Sequence, residues 1–135
     1  MSHRSVRIEL RRIFPEARII QLGSSFKMLE LEHSDADEVV SFSMMDRITE
    51  LAREADFWVY GPGTVMTPGP SISVAGIIFE INKNVVIWGV GAGSFVGHED
   101  STGAEMIRST KLATARDLQS AEFMRHIRSE VHVVP

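Results

Sequence analysis

The sequence predicts an α/β fold, a Rossmann-like three-layer sandwich with a mostly parallel sheet. Three observations predict it. The strand-like runs "ARIIQL", "DFWVYG", "NVVIWGV" and "LATAR" are short, apolar and not alternating, as strands covered on both faces are. Helical patterns separate them, which is the rhythm of strand–helix–strand units. Glycine and proline fall where the strands stop. At 135 residues the chain has the size of one domain, so residues 1–135 are expected to form a single unit.

The elements follow in order. Val6, Leu10, Ile13 and Phe14 recur at helical spacing, and Pro15 stops that helix. Residues 17–22 read as a short buried strand ended by Gly23 and Ser24. Residues 26–38 read as an irregular loop whose acids, Glu30, Glu32, Asp35 and Asp37, keep it solvated. "EVVSFS" (38–43) reads as a strand, and Met45, Ile48, Leu51, Ala52 and Ala55 mark a helix face. A strand over 56–61 leads into the Gly/Pro-rich loop "GPGTVMTPGP". Ser71 or Ser73 is expected to cap the next helix, with Ile72, Ala75, Ile78 and Phe79 inward. A strand over 84–90, a polar loop, a helix from about Thr102 to Thr110 and a strand over 112–116 come next. Asp117 can cap a helix over 118–128, and 130–135 reads as a last strand.

Composition narrows the function classes. Apolar residues make up 44% and charged residues 24%, enough for a packed core. The 14 Lys and Arg against 18 Asp and Glu give a formal charge of −4, with no basic tract, so no nucleic-acid partner is expected. Arg7, Arg11 and Arg12 read as a solvated helix face. Without cysteine there is no disulfide, no thiolate nucleophile and no Cys-ligated zinc. No signal-peptide core and no membrane-length apolar stretch is present, so the expected location is cytoplasmic with no membrane span. No zinc-protease histidine pair, nucleophile elbow or phosphate-loop motif occurs, and no metal or cofactor is expected.

Two candidate ligand loops stand at strand ends, where open parallel sheets bind ligands. They are Gly61-Pro62-Gly63-Thr64 and Gly89-Val90-Gly91-Ala92-Gly93-Ser94. Glycines there permit positive φ and close backbone approach, so N–H groups could face an anion. The second loop is not a dinucleotide fingerprint. Its sixth position is Ser94, and "FVGHEDS" delays the following helix. The plainer reading is a pair of glycine turns with no ligand. Of the histidines, His98 alone falls on a ligand-side loop, beside Asp100; these two are the candidate catalytic groups. Arg116 at a strand end can bind an anion or pair with a carboxylate, and Asp117 next to it suits a helix cap.

From about Ala55 to Pro135 these pieces, taken in order, resemble the polysaccharide pyruvyl transferase family. "ADFWVYGPGTVM" is similar to its strand and Gly-rich loop, "NVVIWGVGAG" to its strand and glycine turn, and "LATARDLQSAEFM" to its strand, Arg-Asp-x-x-Ser and helix. "VHVVP" resembles the strand that follows. The resemblance implies half of a B-type glycosyltransferase fold. It also implies transfer of pyruvyl from phosphoenolpyruvate to a sugar hydroxyl as a ketal. A sugar or nucleotide-sugar-like ligand would then approach Gly61, Gly63, Thr64, Gly89, Gly91, Gly93 and Ser94. Arg116, Asp117 and Ser120 match the Arg-Asp-x-x-Ser positions. The chain departs from the family in three ways. It lacks the opening strand with its Asn-x-Gly-Asp loop, it has Pro62 where glycine is common, and no second half follows Pro135. The domain is therefore expected to be incomplete as an enzyme. The alternative is a non-catalytic ligand-binding or interaction domain on the same scaffold.

In a doubly wound sheet the first strand is central. Without it, "IIQL" and "FWVYG" are expected to pair directly, or another chain fills the gap. A rearranged sheet or a homo-oligomer is the expected consequence.

Overall fold

The computed structural model describes residues 2–24, 35–62, 64, 66–93 and 101–134. Helix α1 (His3–Ile13) starts at Ser2, whose hydroxyl accepts from the Ser5 amide at 3.2 Å. It stops ahead of Pro15, which cannot continue a helix. Strands β1 (Ile20–Gly23) and β2 (Glu38–Ser41) pair in parallel, Ile20 opposite Glu38. Helix α2 (Met45–Glu54) follows and buries Ile48, Leu51 and Ala52, the face its periodicity predicts. Strand β3 (Trp58–Tyr60) leads to α3 (Pro70–Ile81), β4 (Val85–Val90), α4 (Thr102–Ser109), β5 (Ala113–Ala115), α5 (Leu118–Arg125) and β6 (His132–Val133).

The class is the one the sequence predicts: α/β, with every described strand pair parallel. Two details differ. Helix α3 begins one residue before Ser71, with Pro70 in its first turn and Gly69 ahead of it, so no serine caps it. Proline suits that place because its missing N–H would have had no helical partner. The arginines of α1 are not a uniform solvated face. Arg7 is 3% exposed and donates to the Gln21 side chain at 2.8 Å. Arg11 reaches Asp37 at 2.9 Å, and Arg12 stays on the surface, paired with Glu9. Asp35 and Asp37 thus fasten α1 to the β1–β2 pair. Asp37 accepts from the Ile19 amide at 2.7 Å and Asp35 from Arg4 at 3.2 Å. The Ile19 amide, with Arg11 beside it, holds the Asp37 carboxyl below the usual carboxylate range. Glu30, Glu32 and His33 lie outside the described residues.

The strands form two sheets. One is β1–β2; the other is four-stranded in the order β3–β4–β5–β6. The direct pairing expected between "IIQL" and "FWVYG" is not made: β1 and β3 are each edges. Two apolar clusters match the sheets. Tyr60, Ile87, Val90, Met106 and Met124 belong to the larger, while Val40, Ile48, Leu51 and Ile78 belong to the smaller. The Trp58 side chain packs against both. Helices α2, α3 and α4 contact one another in series, which makes them one layer.

Candidate functional site

The carboxyl ends of β3, β4 and β5 lie side by side because the strands are parallel and ordered as in the sequence. Three features stand there: the turn after Tyr60, the glycines after Trp88, and Arg116 with Asp117. Gly61 turns the chain with φ +116°, and a Cβ on it would lie 2.0 Å from the Trp88 carbonyl oxygen, so only glycine fits. The loop then folds onto β4. The Gly91 amide donates to the Thr64 carbonyl at 2.9 Å, and the Met66 amide donates to the Gly91 carbonyl at 2.8 Å.

Gly89 has a different role from the one its place in the sequence suggests. The β4–β5 register shifts between Ile87 and Val90, and Gly89 sits in that bulge with φ +61°. Its amide donates to the Thr114 hydroxyl at 2.7 Å, a buried bond. The Ala92 amide donates to the Ser120 hydroxyl at 3.0 Å. The amides of Gly89, Gly91 and Ala92 are therefore all spent inside the protein, on β5, the β3 loop and α5. The sequence led us to expect that glycines of this loop offer amides to an anion; at Gly89 and Gly91, and at Ala92 between the last two glycines, the donors are taken.

What the edge offers outward is Arg116. Its backbone amide bonds the Val90 carbonyl at 3.0 Å, which fixes its Cα at the sheet edge. Its side chain lies across Gly91, where a Cβ would come within 2.8 Å of the guanidinium carbon. Among the described residues that side chain bonds only Asp117, from Nε at 3.0 Å, which leaves both Nη groups for another partner. Arg116 and Asp117 are each about half exposed. Asp117 caps α5, as its place ahead of that helix predicts, by accepting from the Ser120 amide at 2.7 Å. That bond, with the Ser120 side chain and Arg116, holds the Asp117 carboxyl below its ordinary range, so it stays ionised. Among the described residues, nothing lies within 4 Å of a Cβ placed on Gly93.

The structure thus brings Gly61, Thr64, Gly91, Gly93 and Arg116 to one sheet edge, with Gly89 behind them in the bulge. Gly63, Ser94, His98 and Asp100 lie outside the described residues. Sequence reasoning missed Thr114. A hydroxyl between two alanines in a buried strand was the available signal, because a buried hydroxyl must find a partner. Among the described residues no group of three metal-ligating side chains occurs. No described helix is long and apolar enough to cross a membrane.

A second feature borders this edge. A cavity of about 620 Å³ separates β1 from β3 and runs the length of both strands, reaching Gly61 and Thr64 at its carboxyl end.

No protein-family model matches the chain, and no curated protein or solved structure proves significantly similar to it.

Proposed function

We propose that the chain is a pyruvyl transferase-like domain whose β3–β5 carboxyl edge forms one wall of a site for a sugar or nucleotide sugar. The supporting observation is Arg116. A half-exposed guanidinium lies over Gly91 with both Nη groups uncommitted among the described residues. Such a fork suits bidentate pairing with a phosphate or carboxylate oxygen pair. In pyruvyl transfer, groups of this kind hold anionic oxygens while a sugar hydroxyl adds to the enol carbon as the methylene is protonated, and a second hydroxyl then closes the ketal with release of phosphate. Asp117 is a poor base: its cap bond and its pairing with Arg116 lower its affinity for a proton. His98 and Asp100, outside the described residues, remain the candidates for proton transfer.

The alternative is a non-catalytic binding or interaction domain, favoured by the internal use of the Gly89, Gly91 and Ala92 amides. Calorimetric titration with a nucleotide sugar, a free hexose and phosphoenolpyruvate tests the first reading. Binding of a phosphorylated ligand is expected, with Arg116→Ala weakening it roughly ten- to a hundredfold, the worth of a charged hydrogen bond. Affinity that Arg116→Ala leaves unchanged contradicts it. Binding without ketal formation, even with a matching second half supplied, selects the alternative.

A further inference from the structure

Among the described residues, strands β1 and β3 each pair on one side only. The pairing fixes which backbone groups use that side. Ile19 and Gly23 exchange bonds with the β2 side, through Asp37 and Phe42, and Trp58 donates to Asn84 on the β4 side. Alternate residues of a strand direct their N–H and C=O groups to opposite edges. Ile20 and Leu22 of β1, and Val59 of β3, therefore turn theirs toward the cavity. The Leu22 carbonyl accepts from the Gln21 side-chain amide at 2.9 Å, a side chain standing in where a neighbouring strand would bond.

These edges flank the cavity, and helices line it on both faces. Val6 and Leu10 of α1 line it, as do Leu51 of α2 and Val74 and Ile78 of α3. Helix α1 stands outside the contiguous α2–α3–α4 row. The cavity, about 620 Å³ and partly open to solvent, has room for an extended chain between the two strands. Its lining is mainly apolar, with His3 and Arg7 of α1 among it, and strand edges border it on two sides.

We infer that this slot receives one extended apolar peptide strand supplied by another polypeptide, which joins the two sheets into one. The chemistry of the walls selects that occupant. A lipid tail or apolar small molecule would cover the side chains but leave the facing amides and carbonyls unpaired, at a cost. Only a polypeptide backbone presents alternating donors and acceptors to both sides at once. Both of its faces meet mainly apolar side chains, with Arg7 and His3 of α1 on one of them, so its side chains are chiefly Val, Ile or Leu. The cavity follows four residues of β1 and three of β3, with flanking residues, so a segment of about five residues, roughly 17 Å, spans it. It runs parallel to its neighbours, because β1 parallels β2, and β2 reaches β3 through a single helix that packs against both sheets. This inference is independent of Arg116 and of the ligand proposed at the carboxyl edge.

The test is amide hydrogen exchange of the full chain with the blocked peptide Lys-Val-Ile-Val-Ile-Val-Lys. A second copy of that peptide, with all five central amides N-methylated, keeps the side chains and loses the donors toward both edges. The expected result is binding of the first peptide, with exchange at Ile20, Leu22 and Val59 slowed by about tenfold or more. The methylated peptide should give neither effect. Three results overturn the inference. One is no binding of either peptide. Another is equal binding of both, which makes the slot an apolar small-molecule pocket. The last is protection of those three amides before peptide is added, in a monomer or a dimer, which means this chain already fills the slot.

Discussion

Gly61 and Gly91 stand 30 residues apart on neighbouring strand ends, and their surroundings demand glycine for different reasons. At Gly61 the φ is +116° and a Cβ would collide with the backbone oxygen of Trp88, which cannot move without moving β4. Gly61→Ala should cost about 2–3 kcal/mol, combining backbone strain with a steric clash, and a lowered urea midpoint would register it. At Gly91 the added Cβ meets the far end of the Arg116 side chain, which can swing away. Gly91→Ala should therefore leave the urea midpoint within about 1 kcal/mol of the parent while displacing the guanidinium that is proposed to hold ligand. Equal destabilisation by both substitutions would contradict this contrast. Thr114 supplies a third case. Thr114→Val keeps the shape but strands the buried Gly89 amide, at about 1–3 kcal/mol. Thr114→Ser should restore most of that loss in the same denaturation experiment. The glycines were legible in the sequence as turns. Their division into the bulge at Gly89, the backbone clash at Gly61 and the Arg116 contact at Gly91 was not, because it depends on which strand lies beside each.

At the scale of elements, helices were legible and strand pairing was not. A helix writes its buried face in its own periodicity, and Ile48, Leu51 and Ala52 are buried as that predicts. A buried parallel strand of three or four apolar residues has no alternation from which to read register or neighbour. The direct β1–β3 pairing failed for that reason, and the acids at 35 and 37 read as solvent-facing although they anchor α1. Asn82 shows how an element end is held by residues distant in sequence. Its side-chain amide donates to the Ala52 and Ala55 carbonyls at 3.1 and 2.9 Å, at the last turn of α2. Its own carbonyl accepts from the Trp58 indole at 2.9 Å. Asn82→Ala should cost about 1–2 kcal/mol from the lost side-chain bonds to Ala52 and Ala55, while the indole bond, made to the Asn82 backbone carbonyl, survives. Faster amide exchange should appear in the last turn of α2. Loosening confined to α3 would contradict the stitch.

At the scale of the whole molecule, three carboxylates tie separate parts together in ionised form. The Ile19 amide lowers Asp37, Arg47 lowers Glu38, and Ser120 lowers Asp117. Each folded value lies below the unfolded one, so the unfolded chain binds more protons in acid. The stabilisation is present above the ordinary carboxylate range and fades as pH falls through the folded values, from about pH 5 downward. Thermal melts should show the midpoint falling over that window, and Asp37→Asn should flatten part of the fall. Arg47 moves the other way, its guanidinium held charged by Glu38, so it adds no pH dependence in that window. The parallel α/β class was legible because composition and rhythm set it; the division into two sheets with a slot between them was not.

The central claim places a ligand at the carboxyl edge of β3–β5, under Arg116. Backbone amide shifts on titrating a nucleotide sugar into the uniformly labelled chain test it most directly. The account predicts shifts clustered at Gly91, Gly93 and Arg116 that vanish in Arg116→Ala. Shifts elsewhere, or none with a nucleotide sugar, a hexose or phosphoenolpyruvate, would contradict it.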